Sequence, residues 1–228
     1  ASAGPRLAGG RAPGAARRPP AARVLDLELD WQRLDTAGAT DLAIAARICR
    51  QAGRSERWAQ SLIRAYLAEL PGRMAERPAQ PLPNVPPLLA ALSHQAHYHC
   101  LLLTGNVQAA ARIKLASCAL ADTIQEGGFG DAGLERRQVA QQALRLARRV
   151  GGKGVRVLVI GDTPRDINCA RHIKAQVLAV ATGRFSRRQL AAFRPDGLVE
   201  VLPAGAEFFD LVAALLEDQG QPGSVSPA

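Results

Sequence analysis

The feature that most constrains this chain is a change of texture after Ser93, where short apolar runs begin to alternate with helical stretches. Strands are expected at 98–103, 155–160, 176–181 and 197–201, separated by helices at 107–120, 134–150 and 166–173 and one opened by Ser186, with a closing helix at 207–217. Strands that alternate with helices imply crossover connections and a parallel sheet. The runs at 100–103 and 155–160 are nearly continuous rather than alternating, as strands covered on both faces should be. The expected fold class is therefore α/β, a three-layer Rossmann-like parallel sheet.

Upstream the periodicity is purely helical. Thr40 is placed to cap a helix ending near Gly53, and Ser55 to cap a second carrying Trp58, Leu62, Ile63, Tyr66, Leu67 and Leu70 at helical spacing. A proline-rich linker, 78–87, and a short helix at 88–93 follow. Residues 1–22 are almost wholly Ala, Gly, Pro and Arg, a composition that cannot bury enough apolar surface to offset the entropy of ordering, so a disordered tail is expected there and a flexible one at 219–228.

Composition narrows the functional classes. The 228 residues are 47% hydrophobic, enough for a sizeable core, and no run approaches the length of a membrane span, so a cytoplasmic protein without a membrane partner is expected. The net charge is +9, but five arginines and no acid lie in residues 1–23; the remainder holds 24 basic and 20 acidic residues. With aromatics at only 4% there is little to stack bases on, and no nucleic-acid partner is expected; a mildly basic surface suits a phosphorylated small substrate. Cys49, Cys100, Cys118 and Cys169 have no paired spacing and read as reduced core residues.

Ligands of an open parallel sheet bind beyond the carboxyl ends of its strands. Thr104-Gly105-Asn106 follows the first apolar run, and Gly161-Asp162-Thr163-Pro164-Arg165-Asp166 follows the second. Asp162 and Asp166 share one turn, as two carboxylates holding Mg²⁺ would, yet Thr163 to Asp166 is also a helix-capping box with Pro at the first helical position. Both readings can hold together. His94, His97 and His99 precede the first strand, which puts His99 about 16 Å from the expected active edge. Gly127-Gly128-Phe129-Gly130 lacks the spacing of a dinucleotide loop.

The run closing in Thr104-Gly105-Asn106, the segment Val157-Leu158-Val159-Ile160-Gly161-Asp162-Thr163-Pro164-Arg165-Asp166, and the later Ala179-Val180-Ala181-Thr182-Gly183 and Pro195-Asp196 resemble motifs of the haloacid dehalogenase-like hydrolases. That resemblance implies a helical cap within 24–80, a core at 81–218, and Mg²⁺-dependent hydrolysis of a small phosphate monoester through an aspartyl-phosphate. It gives Thr104, Gly105 and Asn106 to the phosphoryl group, Asp162 and Asp166 to Mg²⁺, and Arg136 or Arg137, with Lys114 a poorer candidate, to the basic position.

The family's first motif, an apolar strand ending in Asp-x-Asp-x-Thr, is not recognisable. The acidic cluster around Asp26, residues 24–31, alternates apolar and acidic side chains, which fits a half-exposed strand or a helix end better than a fully covered strand. A sheet lacking that central strand would leave two neighbours facing a gap or closing up over unpaired backbone groups. Two explanations stand, a truncated or misannotated start or a divergent member that no longer turns over, and the intact order from Gly38 onward favours the first. The rival functional class is a non-catalytic, phosphatase-like binding protein.

Overall fold

The computed structural model describes residue 36 and residues 38–217. The expected disordered tails and the acidic cluster around Asp26 lie outside the described residues.

The helical region forms as its periodicity indicates. Helix α1 (Asp41–Gln51) is capped by Thr40, whose hydroxyl accepts from the Ala43 N–H. A 3₁₀ turn (Glu56–Trp58) leads into α2 (Ala59–Glu76), so Ser55 opens the turn rather than capping the long helix directly. Apolar residues of α1 and α2, among them Ile48, Cys49, Leu62, Ile63 and Leu70, close over Val107 and Ala110. The two helices thus cover α4 (Gln108–Ala116), and no strand residue enters their cluster.

After α3 (Val85–Ser93) come five parallel strands. They are β1 (Leu102–Leu103), β2 (Gly127–Gly128), β3 (Leu158–Gly161), β4 (Gln176–Val180) and β5 (Gly197–Val199). Helix α5 (Arg136–Gly151) connects β2 to β3, α6 (Pro164–His172) connects β3 to β4, and α7 (Arg187–Ala191) connects β4 to β5; α8 (Gly205–Glu217) closes the chain. The strands expected at 98–103 and 155–160 pair only at their carboxyl ends, whereas 176–181 is paired almost throughout. β2 was not expected, because Gly127-Gly128 has no β propensity; two glycines stand there because a Cβ on Gly127 would lie 2.3 Å from the Leu102 carbonyl oxygen and one on Gly128 2.3 Å from that of Val139.

The three layers follow from strand alternation. Val159, Val177 and Ala179 face a cluster with Ala140 of α5, Ile167 and Ala170 of α6, and Leu190 of α7. Leu158 turns the other way, toward Leu88 of α3 and Phe208 and Val212 of α8, where Tyr98 and Phe209 rings lie 5.7 Å apart.

Among the described residues the strands form two separate sheets, β1-β2 and β3-β4-β5. No described strand pairs with the remaining edge of β1 or of β3, and Ile160 on β3 is 40% exposed although it sits mid-strand. Among the described residues, then, β1 and β3 each keep one edge without a ladder partner.

Candidate active site

The carboxyl ends of β1 and β3 open onto one cleft of about 520 Å³, lined by Gly38, Thr104, Gly105, Arg136, Asp162, Asp166 and Arg184 among others. Residues from the two described sheets therefore share a cavity.

Thr104 ends β1, its N–H bonded to the Gly128 carbonyl. Its hydroxyl oxygen accepts from the Asn106 N–H at 3.2 Å, which leaves the hydroxyl proton available for an anion in the cleft. Gly105 is required by close packing: a Cβ there would meet the Ala39 carbonyl oxygen at 2.2 Å, and the Asp41 N–H donates to the Gly105 carbonyl at 2.7 Å. Asn106 turns away from the cleft. Its amide donates to the Asp41 carboxylate at 3.2 Å and accepts from Lys114 Nζ at 3.1 Å, while Asp41 also accepts from the Val107 N–H at 2.9 Å. Burial raises the Asp41 pKa and lowers that of Lys114, as expected of two charges withdrawn from water across a neutral bridge. Lys114 thus belongs to a polar link between α1 and α4 and is not among the residues lining the cleft.

Arg136 and Arg137 separate cleanly. Arg136 begins α5, reaches the Leu103 carbonyl at 3.3 Å and pairs with the Asp166 carboxylate. Arg137 is exposed, pairs with Glu135, and lines only a second cavity, with Ala43, Asn168 and His172, to which Arg136 also contributes.

Asp162 and Asp166 also differ in their duties. Asp166 is buried, and one carboxylate oxygen accepts from both the N–H and the hydroxyl of Thr163, at 3.2 and 2.7 Å, forming the capping box while the other holds Arg136. Asp162 accepts no bond from another described side chain; burial, then the nearby Asp166 charge, pushes its pKa up. A carboxylate so placed gains from a cation beside it. Among the described residues no group of three or more His, Cys, Asp or Glu side chains could hold a metal by themselves, but Mg²⁺ commonly takes one or two carboxylates and completes its shell with water and phosphate oxygens. Asp162 fits that role better than Asp166, whose oxygens are engaged.

Arg184 was not singled out from the sequence. It lines the cleft just beyond β4, its guanidinium 5.2 Å from the Phe185 ring centre. The signal available was its position after a strand's carboxyl end. No described residue of the cleft other than Asp162 and Asp166 carries a carboxylate.

A family model described as HAD-hydrolase-like matches residues 138–204. No curated protein matches the chain. Among solved structures, a predicted phosphatase from Clostridium acetobutylicum is 17% identical with a TM-score of 0.59, covering 87% of this chain and 88% of that one. A predicted phosphoglycolate phosphatase from Haemophilus somnus is 17% identical with a TM-score of 0.58, covering 86% and 87%. A haloacid dehalogenase-like hydrolase from Streptococcus pneumoniae is 16% identical with a TM-score of 0.53, covering 85% and 86%. At these identities the likeness establishes a shared fold, and with the family model it bears out the resemblance to the haloacid dehalogenase-like hydrolases and the α/β Rossmann-like class.

Proposed function

We propose that the cleft binds a small phosphate monoester and that the chain is built for Mg²⁺-dependent phosphatase chemistry. The observation that carries this reading is the convergence of Thr104, Arg136, Asp162 and Arg184 on one cavity at the carboxyl ends of β1 and β3. Thr104 donates its hydroxyl proton to a phosphoryl oxygen, and Arg184 supplies charge-assisted donors to another. Arg136 places positive charge beside the developing charge of the transferring group while Asp166 fixes its guanidinium. Asp162 holds Mg²⁺, which when bound polarises the phosphoryl oxygens. The route proposed is attack by a carboxylate to give an aspartyl-phosphate, then hydrolysis by water. Asp162 and Asp166 are committed to other work, and no other described residue of the cleft carries a carboxylate for that attack.

A second reading, a non-catalytic phosphate-binding relative, is favoured by that last fact. The experiment that separates the two measures phosphate release from a panel of small monoesters with and without millimolar Mg²⁺, alongside calorimetric binding of inorganic phosphate. Removal of a covalent nucleophile commonly costs several orders of magnitude in rate. Turnover that needs Mg²⁺ and vanishes in Asp162→Asn supports the phosphatase; phosphate binding that weakens in Thr104→Ala without any turnover supports the binding protein; neither activity nor binding overturns both.

A further inference from the structure

We propose that the outer face of the α5–α6–α7 layer binds the phosphodiester backbone of a nucleic-acid duplex. This reading is independent of the proposed phosphatase site. The whole-chain charge conceals a sharp segregation. Residues 136–194 hold fourteen arginines and lysines against two acids, whereas residues 24–135 and 195–228 together hold ten against eighteen. The two acids are Asp162, in the cleft, and Asp166, buried against Arg136; Arg136 and Arg184 line the cleft too, which leaves twelve bases and no acid of this segment outside it. On the opposite side of the sheet α8 carries Glu207, Asp210 and Glu217 and no basic residue. An expectation drawn by setting aside the basic tail misses this, because acids elsewhere cancel the layer's excess in the sum.

The bases project outward. Arg145, Arg148, Arg149, Lys153, Arg171, Lys174, Arg188 and Arg194 are all exposed. Of these, Arg149 meets Glu126 at 3.6 Å and Arg171 donates to the Phe193 and Arg194 carbonyls, while Arg145, Arg148, Lys153, Lys174, Arg188 and Arg194 have no ion pair among the described residues. Arg145 stands three and four residues before Arg148 and Arg149 on α5, a spacing at which like charges destabilise a helix. A polyanion lying across the face removes that repulsion.

The chemistry selects the polyanion. Ten of those twelve bases are arginine, whose planar fork matches phosphate oxygens in pairs. The sixteen residues of α5 extend about 24 Å, roughly the span of fourteen duplex phosphates counted over both strands. Single strands need aromatic platforms; here Phe185 packs into the core and Phe193 alone is a large exposed aromatic. An anionic membrane needs an apolar face as well as charge, and the layer exposes only Val150 and Phe193 of that kind.

The test is fluorescence anisotropy of the full chain with a labelled duplex of roughly 20 base pairs, as DNA and as RNA, between about 50 and 200 mM salt. Binding should weaken by about a hundredfold or more over that range, the slope of a contact with several phosphates. The combined change Arg145→Glu, Arg148→Glu, Lys153→Glu and Lys174→Glu should lower affinity at least tenfold and flatten the slope with an unchanged melting temperature, while Arg145→Lys with Arg148→Lys keeps most of the binding. Asp162→Asn should leave it untouched. The proposal is overturned if the fourfold variant binds as well as the parent, if replacing Arg6, Arg11, Arg17, Arg18 and Arg23 by alanine abolishes binding instead, or if vesicles rich in phosphatidylserine outcompete both duplexes.

Discussion

Arg136 and Asp166 form an ion pair in which each side chain is only about a tenth exposed, at 11% and 10%. The pair joins the first turn of α5 to that of α6, and Arg136 also reaches the Leu103 carbonyl at the end of β1. One guanidinium therefore bridges the two half-sheets. Removing either partner leaves a charge shielded from water and unmatched, at a cost of about 3–5 kcal/mol. Asp166→Ala and Arg136→Ala should each lower the unfolding free energy read from urea denaturation by that amount, and the double variant should lose much less than the sum of the two.

Gly105 is a point where three backbone segments meet. A Cβ on it strikes Ala39, and a Cβ on Gly130 strikes the Gly105 carbonyl oxygen at 2.1 Å. The obstacles are backbone atoms that cannot swing aside. Gly105→Ala and Gly130→Ala should therefore each destabilise by more than the usual 0.5–3 kcal/mol range, about 3–5 kcal/mol. Gly53→Ala, where no atom lies within 4 Å but φ is +62°, should cost only about 1 kcal/mol. Chemical denaturation of the three variants checks the order.

Tyr66 gives the alkaline behaviour. Burial, then the Asp41 charge, pushes its pKa from an ordinary 10.0 up to about 12. The folded chain keeps the phenol proton at pH values where the unfolded chain releases it. The stability this contributes is fully present below the ordinary value and is lost as pH rises through the interval up to about 12. In Tyr66→Phe that alkaline decline should be shallower, as read from urea midpoints at stepped pH, and the absorbance titration should lose its later-ionising tyrosine.

Asp162 should report the metal without any catalysis. If it holds Mg²⁺, the cation stabilises the folded state in proportion to the logarithm of its concentration once above the dissociation constant. The melting temperature should rise with millimolar Mg²⁺ in the parent and in Thr163→Ala, which loses a cap and a hydrogen bond to Asp166, but not in Asp162→Asn. An equal rise in all three removes Asp162 from the metal site.

Much of this architecture is written in local pattern. The caps Thr40, Thr163 and Ser186 act where the sequence puts them, because a hydroxyl at a helix start has one obvious set of orphan N–H groups to satisfy. The apolar runs mark β3 and β4 because each must be covered on both faces. What stays hidden is pairing over distance. Nothing in Gly127-Gly128 announces a strand, since its reason is the Leu102 backbone opposite. Asn106 reads as a phosphate ligand until Asp41, 65 residues earlier, takes its amide. Arg136 and Arg137 are indistinguishable as letters; helical phase sends one inward and the other to Glu135.

Among the described residues the split sheet leaves two strand ladders that share one buried cluster, for Leu103 of β1 packs with Val159, Ile167 and Val177. One ladder is β1 and β2; the other is β3, β4 and β5 with α6 and α7 against it, while α1, α2 and α4 close a cluster of their own. Between the sheets no described ladder bond passes, so they are coupled through α5, packed on β2 at one side and on α6 at the other, and through the packing of Leu103. Native-state hydrogen exchange should then show two populations of slow amides with separate opening free energies, the Val177 to Val180 ladder in one and the Leu102–Thr104 amides in the other. Loosening α5 should bring the two openings further apart, because each ladder would then open with less resistance from the other.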